Sequence, residues 1–168
     1  MFEMRGGEEA LETDPARMPG DNHVVFIGTV RSPYTRRDDC PKNMGAARER
    51  GFPAEIEIAE PFRAGLLGLA GFSHIVILTW LHHAPRNLIV QKPRHATDAK
   101  GVFALRTPAR PNPVGLHMAR MTAMDMRTGI LGLEAIDVLD GTPVIDIKPY
   151  FPSVDSIPDA VSGREAKG

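Results

Sequence analysis

The chain has 168 residues, with 20 Lys and Arg against 21 Asp and Glu, six His and a single cysteine, Cys40. That length suits one domain with a buried core; 42% hydrophobic content excludes a disordered chain, and one cysteine excludes a disulfide framework or an all-Cys zinc site. The net charge of −1 hides a gradient of −4 over residues 1–30, +7 over 31–127 and −4 over 128–168, which disfavours sequence-blind nucleic-acid binding but allows a basic face in the middle.

In chain order, residues 1–21 are acidic and punctuated by Gly and Pro, and predict a flexible N-terminal arm. The arm lacks the basic-then-apolar layout of a signal peptide. One domain is expected over 22–155, with a polar tail over 156–168. Within the domain, 23–30 predicts a strand and 31–51 a long charged loop. Residues 54–60 (A-E-I-E-I-A-E) alternate strictly, the signature of a half-buried strand with Ile56 and Ile58 inward. A short helix is expected at 61–69, with Pro61 in its first turn. The β-branched and aromatic run 72–82 reads as the central strand, followed by a second basic loop over 84–100. Its most apolar part, 75–81, is far shorter than the roughly 20 residues that span a bilayer, so no membrane association is expected and the cytoplasm is the expected compartment. Residues 101–107 predict a further strand. Three prolines within 108–113 make a rigid loop outside any sheet. Strands follow at 114–127 and 130–138, then a hairpin-type turn at Asp140-Gly141 and a last strand at 144–150. Together these elements predict a mostly-β fold, a barrel or a tightly coiled sheet with little helix.

Residues that β packing does not explain fall in four segments: 31–43, 81–83, 106–115 and 140–150. In the third, Arg106 and Arg110 lie four apart and are stiffened by prolines. They form a pre-organised pair of cationic forks for phosphate or carboxylate, with Asn112 beside them to read a base edge or cap a turn. A Pro-rich turn carrying two solvated Arg is the plainer alternative. In the fourth segment Asp146, Lys148 and Tyr150 share one strand face, together with Val144, which fits that face poorly. The plainer alternative is an exposed Asp–Lys pair of little energetic weight. His82 and His83 point to opposite faces of a strand, His95 and His117 are distant in sequence, and no H-E-x-x-H spacing occurs, so a metal site is not expected. Met118, Met121, Met124 and Met126 read as core filler. No G-x-G-x-x-G opens a helix, which disfavours a Rossmann nucleotide site, and neither a P-loop nor a G-x-S-x-G elbow is present.

The stretches FIGTVRSPY, GFSHIVILTWLHH, KGVFALRTPARPNPVGL and DVLDGTPVIDIKPY, in this order, resemble the TsaA/TrmO-like family of S-adenosylmethionine-dependent tRNA methyltransferases. The resemblance covers about residues 23–155. It implies a compact single-sheet β-barrel with a few short helices and long functional loops, binding S-adenosylmethionine outside the Rossmann framework, and a homodimer. It also implies methylation of N6-threonylcarbamoyladenosine at position 37 of tRNA. Carried over by position, cofactor contacts fall at Pro41, Lys42, Asn43, His82, His83, Arg106, Leu116, Asp140, Gly141, Thr142 and Pro143. Arg110, Asn112, Lys148 and Tyr150 fall on the substrate side, and Asp146 is the candidate base or orienter. Two departures stand out: Cys-Pro-Lys-Asn replaces the Pro-Arg-Gln of enterobacterial relatives, and those relatives carry a further C-terminal domain. The rival readings are a non-catalytic S-adenosylmethionine-binding or RNA-binding module, and a methyltransferase acting on another substrate.

Overall fold

Alternation of apolar and polar residues positions most of the chain. The structure, a computed structural model, describes residues 5–10, 12, 24–93 and 97–161. Most of the predicted arm, His23, His95 and residues 162–168 of the predicted tail lie outside these. The described residues form nine strands: β1 (Glu9–Ala10), β2 (Gly28–Arg31), β3 (Ala54–Ile58), β4 (His74–Trp80), β5 (Leu88–Gln91), β6 (Lys100–Gly101), β7 (Val114–Asp125), β8 (Ile130–Leu133) and β9 (Pro143–Pro149). Two short helices, α1 (Met44–Arg50) and α2 (Pro152–Asp155), accompany them. No helix among the described residues is long and apolar enough to cross a membrane.

Six strands, in the order β2–β3–β8–β7–β4–β9, close on themselves because β9 also pairs with β2. The pairings are antiparallel throughout. The expected alternation in β3 holds: Ala54, Ile56 and Ile58 are buried while Glu55 and Glu57 face solvent. With Ile75 and Ile77 of β4, Leu131 and Leu133 of β8, and Val144 of β9, these residues fill the interior. Each fully buried aliphatic side chain contributes about 1.5–3 kcal/mol of apolar burial.

The expectation of a single sheet needs correction, because β1, β5 and β6 form a separate three-stranded sheet. Leu88, fully buried, anchors the 88–91 segment that was expected to be loop. The buried Glu8 carboxylate accepts the Lys92 and Arg5 backbone N–H groups and so ties β1 across it. The 31–51 loop also contains an unexpected helix. Asn43 caps α1 by accepting the Ala46 N–H at 2.9 Å, and Gly51 ends it at φ 66°. The expected helix at 61–69 is a 3-10 turn over Glu60–Leu66. The strand expected at 101–107 is reduced to β6 and a 3-10 turn at Val102–Ala104.

Two further differences bear on the site. Strand β8 stops at Leu133 rather than running to 138, which frees residues 134–142 as a loop across one barrel end. Asp140-Gly141 does turn the chain, but β9 pairs with β2 and β4 rather than with β8, so no hairpin forms. A register shift places Thr79 opposite Val144 and Leu78 opposite Asp146, skipping Ile145. This bulge turns Val144 into the core while Asp146 remains partly exposed, which explains why Val144 fitted poorly with its neighbours of equal parity.

Where β2 crosses β3, a Cβ on Gly28 would lie 2.5 Å from the Glu57 carbonyl oxygen, whereas one on Gly65 would meet nothing within 4 Å. Gly28→Ala is therefore expected to cost about 1–3 kcal/mol by overpacking against backbone. Gly65→Ala is expected to leave the urea unfolding midpoint nearly unchanged, and equal midpoints for the two variants would contradict this packing.

Candidate functional site

The 134–142 loop, the segment before α1, the end of β4 and the start of β7 enclose a cleft of about 980 Å³. Ser32 stitches two of these walls together: its hydroxyl donates to the Val138 carbonyl at 2.8 Å, and its N–H donates to Asp140 Oδ1 at 3.1 Å. The Asp140 N–H donates to the Tyr34 carbonyl at 2.7 Å, and the Gly141 N–H to that of Val30 at 2.9 Å. These bonds bring Cys40, Pro41 and Lys42 opposite Asp137, Val138 and Leu139.

Basic side chains dominate the charged part of the lining. Arg37, Lys42, Arg48, Arg106 and Arg110 all contribute, and Asp137 is the sole acid among the described lining residues. Several of these cations also brace the walls. Arg48 pairs with Glu134 at 2.9 Å and donates to the Met118 carbonyl, and Arg106 donates to the Leu116 carbonyl at 3.2 Å. Burial acts to raise the Glu134 carboxyl, but bonds from the Arg48 side chain and the Arg120 N–H outweigh it and hold the group below the usual carboxylate range. The Cys40 thiol is pushed up to about 11, first by burial and then by the Asp137 charge, against the opposing pull of Arg50 and Arg37.

Of the residues expected to contact a cofactor, Pro41, Lys42, Asn43, His82 and His83 all line the cleft. Arg106, Leu116 and Thr142 line it as well. Asp140, Gly141 and Pro143 do not; the Asp140 carboxylate instead serves the Ser32 N–H. Arg110 lines the cleft while its guanidinium donates to the Val102 and Leu105 carbonyls, so it also braces the loop. The other substrate-side residues lie outside the cleft. Asn112 is engaged by Arg86, which stacks on Trp80, and Lys148 pairs with Asp146 at 2.7 Å. Tyr150 stands beyond the end of β9. Asp146 borders a separate groove of about 480 Å³ with apolar neighbours including Ile27, Phe62 and Phe72.

Sequence reasoning missed Asp137 and His117. Despite its sequence distance, His117 lines the same cleft as His82 and His83, and its Nδ1 lies 2.6 Å from Asp137 Oδ1. The signal for it was a histidine at an inward position of an alternating strand, between Gly115 and Ala119. No three His, Cys, Asp or Glu side chains among the described residues gather as a metal site.

Comparison with known proteins matches residues 29–156 to the tRNA-methyltransferase O N-terminal domain. A protein of Methanothermobacter thermautotrophicus described as a probable S-adenosyl-L-methionine-binding protein is 43% identical over 78% of this chain and 91% of its own length. The tRNA (adenine(37)-N6)-methyltransferase of Escherichia coli is 36% identical over 80% of this chain, which spans 60% of that enzyme. The crystal structure of TrmO from Pseudomonas aeruginosa superposes with a TM-score of 0.69 at 34% identity, covering 86% of this chain and 63% of that one.

Because the Asp137 charge helps hold the Cys40 thiol up, Asp137→Asn is expected to lower its pKa. Alkylation of Cys40 by iodoacetamide at pH 9 should then accelerate several-fold, as thiolate is the reacting form. An unchanged rate would show that the carboxylate does not face the thiol.

Proposed function

Because the chain belongs to the family of the tRNA-methyltransferase O N-terminal domain, we propose that it binds S-adenosylmethionine in the cleft and methylates N6 of N6-threonylcarbamoyladenosine at position 37 of tRNA. The charge pattern of the cleft supports this most directly: five Lys or Arg side chains surround a single carboxylate among the described lining residues. S-adenosylmethionine carries an anionic α-carboxylate, a cationic ammonium and sulfonium, and a ribose diol. Arg and Lys suit its carboxylate and the phosphates of tRNA, and Asp137 suits the ammonium or the diol. Leu81, Leu116 and Val138 provide apolar wall for a purine. The cleft, at about 980 Å³, lies near the top of the roughly 300–1,000 Å³ range of ligand sites, leaving room for part of an acceptor base.

When bound, S-adenosylmethionine would supply an electrophilic methyl group to the acceptor nitrogen, its sulfonium leaving as a neutral thioether and the nitrogen's proton passing to solvent. The chain's own contribution is positioning. Walls braced by Arg48, Arg106 and Arg110 fix where each partner lies, and such alignment accounts for effective molarities of about 10⁵ M or more. Asp146 sits outside the cleft and is paired with Lys148, so within one chain it is not placed to accept the proton. Arg37 and Lys42 are better placed than Asn112 or Lys148 to meet the substrate's anionic groups. Work on tRNA would place the protein in the cytoplasm.

A homodimer belongs to the same proposal. Val114, Leu116 and Met118 are 39%, 41% and 37% exposed on the outer face of β7, next to Val76, Leu78 and Trp80 of β4. A second copy would cover this apolar face. Since Val114, Leu116 and Met118 also line the cleft, the partner would border the ligand.

The absence of Asp146 from the cleft favours one rival, a module that binds S-adenosylmethionine without chemistry. Calorimetry is expected to show saturable binding of S-adenosylmethionine, weakened about tenfold or more by Arg106→Ala. Methyl-labelled cofactor is expected to label tRNA that carries the threonylcarbamoyl group. Binding without transfer would leave the sensor reading standing, and no binding by folded protein would remove both. Light scattering is expected to give twice the chain mass for the wild type and the single-chain mass for Leu78→Glu; a wild-type monomer would refute the dimer.

A further inference from the structure

Thr79, His117 and Asp137 form a chain of polar contacts from the barrel interior to the cleft, of which the proposed function uses only Asp137. His117 is inward on β7, 4% exposed, and its Nε2 lies 2.9 Å from the hydroxyl of Thr79, itself fully buried on β4. Its Nδ1 lies 2.6 Å from Asp137 Oδ1. Gly115 makes room for this arrangement: a Cβ there would fall 2.3 Å from Thr79 Oγ1 and 2.6 Å from His117 Nε2. Burying an imidazole among Ile and Leu side chains is unfavourable unless both ring nitrogens find partners, and here both do.

Asp137 needs such support. It sits on the 134–142 loop beyond the end of β8, with no ladder bond to fix its direction. Its neighbours Ile136 and Val138 are buried and anchor the backbone, but they leave the carboxylate free to rotate. Among the described residues no protein donor other than His117 engages it. The bond to Nδ1 fixes the ring tautomer and the direction of Asp137 Oδ1, and the carboxylate, with 15% of its side chain exposed, borders the cleft.

We infer that His117 is a positioning residue: clamped by Thr79, it aims the Asp137 carboxylate at the hydrogen-bond-donating or cationic part of the bound cofactor. This rests on the proposal that the cleft binds S-adenosylmethionine. A residue that only tied the loop to the barrel would change stability, whereas a positioning residue changes cofactor affinity through its Nδ1 bond to Asp137.

Two substitutions separate these roles. The amide nitrogen of His117→Asn overlaps Nδ1 and keeps the donor to Asp137, whereas His117→Gln places its amide near Nε2 and loses that donor. In calorimetry with S-adenosylmethionine, His117→Asn is expected to stay within about threefold of the wild type, and His117→Gln to bind at least about tenfold more weakly at a similar melting temperature. Proton NMR of the wild type without cofactor is expected to show a downfield ring N–H resonance, absent from His117→Asn and shifted in Asp137→Asn. Equal affinities for the two His117 variants, or no such resonance, would overturn the inference while leaving cofactor binding intact. No binding by the folded wild type would instead overturn the reading of the cleft.

Discussion

Closure of the sheet is the constraint on which the rest of the molecule depends. Strand β9 closes the sheet by pairing with both β4 and β2, yet its ladder with β2 covers only Gly28↔Val144 and Thr29↔Pro143. The seam is reinforced by backbone bonds from Ile27 to Val144 and from Val30 to Thr142, both at 2.9 Å. Its longer contact is with β4, and the bulge at Ile145 reconciles the two registers. Without that extra residue Val144 would not reach the core, and the turn at 140–142 would not lie against the end of β2. The loops that form the cleft are therefore held in place by the closure itself.

The cleft inherits its chemistry from three connections that meet at one barrel end. Each is short of regular structure but tied by specific bonds, Ser32 to Val138, Arg48 to Glu134 and Arg106 to Leu116 among them. Arginine suits this double duty, because its planar fork can satisfy a carbonyl with one nitrogen and keep another toward a ligand. The result is a basic cavity with fixed walls, and the charge excess of residues 31–127 is largely gathered there.

How far this was legible in the sequence depended on how local each signal was. The alternation of β3 and the β-branched run of β4 report directly which face is buried, and both strands appeared where expected. Helix α1 was missed although Asn43 and Gly51 bracket it as cap and terminator, because the charged residues between them carry little apolar periodicity. Strand β5 was missed because its pairing is with β1 and β6, both only two residues long. Asp146 and Lys148 share a face as expected, whereas Val144, of equal parity, is turned into the core because the register breaks at Ile145. The cofactor-side positions carried by family resemblance gathered in the cleft more completely than those on the substrate side. His117 and Asp137 were not read as a pair, since they meet only where the chain after β8 runs on alongside β7 past the Met121↔Leu133 pairing.

The environment of Cys40 bears on a cleft proposed to hold a methyl donor. Sulfur anions are among the strongest nucleophiles toward sulfonium methyl groups, and this thiol lines the cavity wall. With its pKa raised to about 11, about one molecule in 10⁴ carries the anion at neutral pH. Burial and the neighbouring carboxylate thus keep Cys40 almost wholly in its unreactive thiol form at neutral pH, which under the proposed function would spare a bound methyl donor.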